Sequence, residues 1–142
     1  MLKISRTEHE RIRLHAEETY PHECCGVLLG RAVDGVRAVS STARCVNTEA
    51  ASDWFNIDPR QIVRIQREAS ARGEDILGFY HSHPDDAARW SASDLREAHW
   101  LGCSYVITSV RAGKSAEMNS FLLSGSGEEE KRFESELVEI ED

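Results

Sequence analysis

Two histidines one residue apart, His81 and His83, close an apolar run, ILGFYHSHP, that reads as a central strand. Side chains alternate faces along a strand with period two, so both imidazoles project to one side and can share a ligand. Zinc takes imidazole nitrogens at ~2.0–2.1 Å in a tetrahedral set, and two such nitrogens with one carboxylate leave a fourth position for water. A third ligand is needed nearby. Asp94 lies eleven residues after His83, in the first turn of a helix that Ser91 would cap, and the DDAARW loop can fold its carboxylate back toward the strand end. Plainer readings compete at each point. Ser91-x-x-Asp94 also fits a capping box with Asp in place of Glu, in which both side chains only satisfy helix N-terminal amides. His-x-His on a strand can be two solvated polar residues. The joint placement of strand, serine and aspartate within one loop and one helical turn favours the metal site.

Other polar clusters fare worse. Cys24, Cys25, Cys45 and Cys103 form no C-x-x-C pair, and the adjacent cysteines diverge on a strand, which argues against a cysteine metal site. The H-x-E and P-C-x-x-C elements of a zinc deaminase do not occur. His9, His15, His22 and His99 have no partner at useful spacing and read as surface or cap residues, while Trp54, Trp90 and Trp100 read as core or rim.

The elements that must position His81, His83 and Asp94 follow from pattern. Ser5 or Thr7 caps a helix running to about Tyr20, with Ile12 and Ala16 on its apolar stripe and Pro21 stopping it. CCGVLLG is a buried strand, and Asp34-Gly35 turns it into a hairpin with VRAVSSTARCV. WFNI is a further short strand. Asp58-Pro59 opens a second helix, with Ile62, Ile65 and Ala69 inward, that ends near Gly73. After the histidine strand, Ser91 caps a third helix through about Leu101, closed by Gly102. SYVITSV and SFLLSG are two more strands, and the alternating tail RFESELVEI is an edge strand whose open side offers a homodimer contact. This order predicts an α+β or three-layer arrangement around a mixed sheet.

Size and charge bound the rest. A chain of 142 residues suits a single domain with its own core. With 25 acidic against 17 basic residues and net charge −8, no basic surface is available for nucleic acid. The charged N-terminus lacks a signal-peptide core and no apolar run approaches the ~20 residues that span a bilayer, so no membrane partner, a cytoplasmic location and free thiols are expected.

The segment HSHPDDAARWSASD resembles the JAMM, or MPN-plus, zinc metalloprotease signature: His-x-His, seven residues, serine, two residues, aspartate. PHECCGVLLG supplies the upstream glutamate of that pattern, Glu23, followed by the Cys-Gly-apolar-Gly run of small prokaryotic members. The resemblance spans nearly the whole chain, residues 1–142, as one such domain. It departs at Trp90, where relatives often carry proline, and in the acidic Asp85-Asp86 loop. It implies a cytidine-deaminase-like three-layer α/β/α fold, one catalytic zinc held by His81, His83 and Asp94, Glu23 as general acid/base and Ser91 as a helper at the oxyanion. It also implies hydrolysis of an amide or isopeptide bond after the Gly-Gly tail of a ubiquitin-like or sulfur-carrier protein. The alternative is a non-catalytic module that binds ubiquitin-like proteins, against which the intact set of five residues argues.

Overall fold

The computed structural model describes residues 1–49 and 56–142 of the chain. Strand β1 (Leu2–Ser5) buries Leu2 and Ile4, then runs directly into helix α1 (Arg6–Thr19), where Ser5 caps the Glu8 amide and Ile12 and Ala16 are fully buried. Strands β2 (Cys25–Val33) and β3 (Val36–Cys45) form a hairpin on Asp34 and Gly35, both at positive φ (51° and 78°), the backbone twist that two-residue hairpins require. Asp58 caps helix α2 (Pro59–Ala71), which buries Ile65 and Ala69 and half-buries Ile62. Strand β4 (Asp75–Pro84), helix α3 (Ala92–Glu97), strands β5 (Ser104–Arg111) and β6 (Lys114–Ser124), and the short strands β7 (Arg132–Glu136) and β8 (Val138–Glu141) complete the order.

The eight strands make one mixed sheet in the order β7-β6-β5-β4-β2-β3-β1-β8. Helix α1 covers one face, packing Ile12 and Ala16 with Leu28, Tyr80, Val106 and Val110. Helix α2 covers the other, with Val27, Leu29, Phe79 and Tyr105. The result is an α+β, three-layer α/β/α arrangement. Strand β4 is its pivot: antiparallel to β2 and parallel to β5. A parallel neighbour demands a crossover, so the chain leaves the sheet at the C-terminal end of β4 and returns only at Ser104, carrying α3 on the way. That end of β4 lies beside the N-terminal end of β2, which is where crossover loops and strand ends can build a site.

Four expectations change. The tail is not one edge strand: Leu137 splits it, with β7 pairing to β6 and β8 to β1 at opposite ends of the strand order. The sheet therefore curls until its terminal strands are consecutive in the chain, and a part-buried Arg37–Glu136 pair ties β3 to β7, with Arg37 Nε also donating to Ser104 Oγ at 2.6 Å. Helix α3 stops at Glu97 rather than near Leu101, because Ala98 turns extended and Lys131 Nζ donates to the carbonyls of Arg96 and Ala98, satisfying the helix end from outside. His15 is not a surface residue: it is buried, with Nδ1 2.7 Å from the Tyr80 hydroxyl, and burial lowers its pKa to about 4. Of the WFNI segment, Asn56 and Ile57 belong to no strand, while Trp54 and Phe55 lie outside the described residues.

Gly78 shows how tightly the pivot is built. A Cβ there would lie 1.9 Å from the Ser104 carbonyl oxygen, and backbone cannot move aside without opening the parallel β4–β5 pair. Gly78→Ala is expected to cost ~1–3 kcal/mol, the usual range for overpacking, read as a lower urea midpoint. Unchanged stability would mean that β4 and β5 separate easily.

Candidate metal centre

His81 and His83 share the α2 face of β4, and their Nε2 atoms lie 3.1 Å apart. Asp94, in the first turn of α3, brings Oδ1 to 3.2 Å from His81 Nε2 and Oδ2 to 3.1 Å from His83 Nε2. A tetrahedron with bonds of ~2.0–2.1 Å has edges of ~3.3 Å, so these three donors stand close to the spacing that one zinc-sized ion needs.

The tautomers fit the same purpose. His83 Nδ1 faces the Ala87 carbonyl at 2.9 Å, an acceptor only, so Nδ1 keeps its proton, and in the neutral ring Nε2 is the nitrogen left to offer a lone pair to a metal. That carbonyl is itself anchored through its neighbour: the Ala88 amide donates to Glu117 Oε1 at 3.2 Å and Asn119 Nδ2 donates to the Ala88 carbonyl at 2.9 Å. The loop's first residue, Asp85, sits at φ +53° and accepts from the Tyr20 hydroxyl at 2.5 Å and the Ala112 amide at 2.8 Å. Asp86 Oδ1 in turn accepts from the Ala87 amide at 2.8 Å, so both carboxylates of the acidic loop bond its backbone or its neighbours.

Capping and metal-facing roles coincide in Asp94. The Ser91 amide donates to Asp94 Oδ2 at 2.9 Å and the Asp94 amide donates to Ser91 Oγ at 3.1 Å, a full capping box. The box orients the carboxylate that meets the histidines. Ser91 Oγ acts there as an acceptor, which leaves its own proton for a second partner, and the residue is exposed.

Glu23 lies just ahead of β2. Antiparallel pairing sets Cys25 against His81, and two residues earlier that register brings Glu23 abreast of His83. The Cys24 amide donates to Ser82 Oγ at 2.8 Å and the Ser82 amide to the Cys24 carbonyl at 3.2 Å, extending the pairing toward the site. Glu23 is only 3% exposed, and one of its carboxylate oxygens groups with ring nitrogens of His81 and His83 within 4.8 Å. Two carboxylates therefore serve one histidine pair: Asp94 in contact with both Nε2 atoms, Glu23 in the same buried group.

Electrostatics follow. Burial lowers the His81 pKa, against the pull of Asp94. Burial also opposes charging of His83, but the Asp94 hydrogen bond, the Ala87 carbonyl and the charges of Asp94 and Glu23 outweigh it and raise the pKa. Burial disfavours the Asp94 carboxylate, yet hydrogen bonds from His81, His83 and the Ser91 amide hold its pKa far below the usual range.

The cysteines do not gather: Cys24 packs on the α1 face and Cys25, Cys45 and Cys103 on the α2 face, and all four are buried free thiols. Trp90 is 40% exposed and packs on Phe133, while Trp100 packs edge-on to Phe79. Trp54 lies outside the described residues. Sequence reasoning passed over the Ala87 carbonyl, which no side-chain pattern announces, and Asn47, whose Nδ2 donates to the Glu23 carbonyl at 3.0 Å. Only the β2–β3 register reveals that Asn47 reaches Glu23.

Residues 5–124 match the family model of prokaryotic homologues of the JAB domain. The chain is 34% identical over 114 residues to the desampylase of Haloferax volcanii, covering 76% of this chain and 80% of that protein. It is 27% identical over 107 residues to the CysO-cysteine peptidase of Mycobacterium tuberculosis, covering 75% and 72%. The solution structure of protein DSY2949 from Desulfitobacterium hafniense superposes with a TM-score of 0.86 at 29% identity, covering 100% of this chain and 94% of that one. With the fold, the donor set and these matches in agreement, the chain belongs to the family of prokaryotic JAB-domain proteins.

Proposed function

We propose that the chain is a zinc-dependent peptidase that cuts an amide or isopeptide bond after the Gly-Gly tail of a ubiquitin-like or sulfur-carrier protein. The observation that carries this reading is the set of three donors, His81 Nε2, His83 Nε2 and the Asp94 carboxylate, at mutual separations of 3.1–3.2 Å with Glu23 buried alongside. Relatives named as a desampylase and a CysO-cysteine peptidase support the substrate class. A module that only binds proteins has no use for such a set, since burying polar groups costs free energy that a shared ion recovers.

His81, His83 and Asp94 would hold the ion. When bound, zinc supplies Lewis acidity, polarising the scissile carbonyl and bringing the pKa of water down to ~7. Glu23 accepts the proton of the attacking water and delivers it to the leaving amine, a task suited to a buried carboxylate beside the donors rather than among them. The Ser91 hydroxyl donates to the oxyanion of the tetrahedral intermediate, its oxygen already oriented by the Asp94 amide.

These roles separate by experiment. Asp94→Ala and His81→Ala are expected to lose zinc and activity together. Glu23→Gln should keep one zinc per chain and lose ~10²–10⁴-fold in rate, the range of a positioned acid/base. Metal analysis after dialysis decides: full occupancy in Asp94→Ala with loss in Glu23→Gln would exchange the two carboxylates.

The substrate follows from the approach. A tail reaching the donors must pass as an extended chain between the end of β4 and the start of α3, where glycine avoids Cβ clashes and main-chain hydrogen bonds hold it regardless of sequence. Trp90, exposed and next in sequence to Ser91, is the candidate for leaving-group preference. A Gly-Gly-linked fusion of a ubiquitin-like protein should be cut much faster than Ala-Ala or Val-Val versions. Equal rates on all three would remove the glycine passage, and equal rates on unstructured peptides would make the enzyme a general peptidase.

A further inference from the structure

Glu23 precedes β2, whose ladder begins at Cys25 opposite Cys45 and His81. At the next level a side chain continues the pairing: Asn47, two residues beyond Cys45, donates from Nδ2 to the Glu23 carbonyl oxygen at 3.0 Å. The oxygen of the same carboxamide is also engaged, with Oδ1 accepting from the Glu49 and Asn56 amides, each at 3.0 Å. Beside it the Thr48 amide donates to the Asn56 carbonyl at 3.0 Å. One planar amide therefore joins the backbone ahead of β2, the turn after β3 and the residue leading into α2. Its Nδ2 donates to the Glu23 side, and its Oδ1 accepts from the 49 and 56 side.

We propose that Asn47 is a positioning residue for hydrolysis, acting through Glu23. Fixing the Glu23 carbonyl fixes the peptide plane that follows it, and with it the direction in which the Glu23 side chain leaves the backbone toward His83. Proton transfer needs hydrogen-bond reach, and an error of ~1 Å in such a group costs on the order of 10²-fold in rate. Ser82 steadies Cys24, the next residue, by a pair of hydrogen bonds, so Asn47 completes the restraint of the segment on its β3 side. This inference rests on the reading of Glu23 as the proton-transfer group.

The two halves of the amide can be tested apart. Asn47→Asp keeps an acceptor for the Glu49 and Asn56 amides but has no donor for Glu23, and Asn47→Ala lacks both. Each is made alone and in a Glu23→Gln background, in the full zinc-loaded chain, and assayed on the Gly-Gly fusion with metal content and thermal midpoint measured in parallel. Asn47→Asp and Asn47→Ala should each lower kcat ~10–100-fold, by analogy with lost supports of metal-site residues. KM and zinc content should stay near the parent, and the thermal midpoint should fall less in Asn47→Asp, which keeps the two loop bonds, than in Asn47→Ala. In the Glu23→Gln background neither substitution should lower kcat further, because the group being positioned is gone. A parental kcat for Asn47→Asp would overturn the proposal, leaving Asn47 with the loop bonds alone. So would an equal further loss in the Glu23→Gln background. Parental turnover of Glu23→Gln by itself is a different failure: it removes Glu23 from the mechanism, and this inference with it.

Discussion

Two imidazole nitrogens buried 3.1 Å apart, with a carboxylate against both, are expensive to assemble unless something is shared among them. The rest of the molecule is arranged to keep them there. His81 and His83 belong to β4, which has an antiparallel neighbour, β2, on one side and a parallel neighbour, β5, on the other. The antiparallel side delivers Glu23 in register with His83. The parallel side forces the crossover that carries Asp94. The places of both carboxylates are thus consequences of where β4 stands in the sheet, and a slip of one residue against β2 would turn the site to the opposite face.

Support beyond the donors comes from backbone as much as from side chains. The Ala87 carbonyl sets the His83 tautomer, the Ser91 amide turns the Asp94 carboxylate, and the Glu23 carbonyl is held by Asn47. Each of these backbone groups is fixed by residues from a different element: Glu117 and Asn119 of β6 beside Ala87, the capping box of α3, and the turn after β3. Such distribution explains why a six-residue helix suffices to place Asp94. Its N-terminus is locked by the capping box and its C-terminus by Lys131, with Leu95 packing from it onto the core.

The histidine pair, Asp94, Ser91 and Glu23 were legible because their identity and spacing carry the signal. Helices α1 and α2 were legible through Ser5, Asp58 and Pro59, which act locally. What escaped depends on distant partners. β1 has only four residues, too few for its alternation to stand out beside a helix start. The tail alternates without a break, and nothing local at Leu137 announces that its halves pair with strands at opposite ends of the sheet. The pattern at Ala98 to Leu101 permits a helix, and Lys131, more than thirty residues away, ends it. His15 shows the same limit, since its partner Tyr80 lies on another element.

The central claim, that Asp94 completes the metal set while Glu23 stays out of it to move protons, is tested most directly by a zinc-loaded crystal structure with anomalous scattering recorded at the zinc edge. The expected result is one anomalous peak at ~2.0–2.2 Å from His81 Nε2, His83 Nε2 and an Asp94 carboxylate oxygen, with no Glu23 oxygen at bonding distance. A peak bonded to Glu23 and the two histidines, with Asp94 left in its capping box alone, would contradict the account.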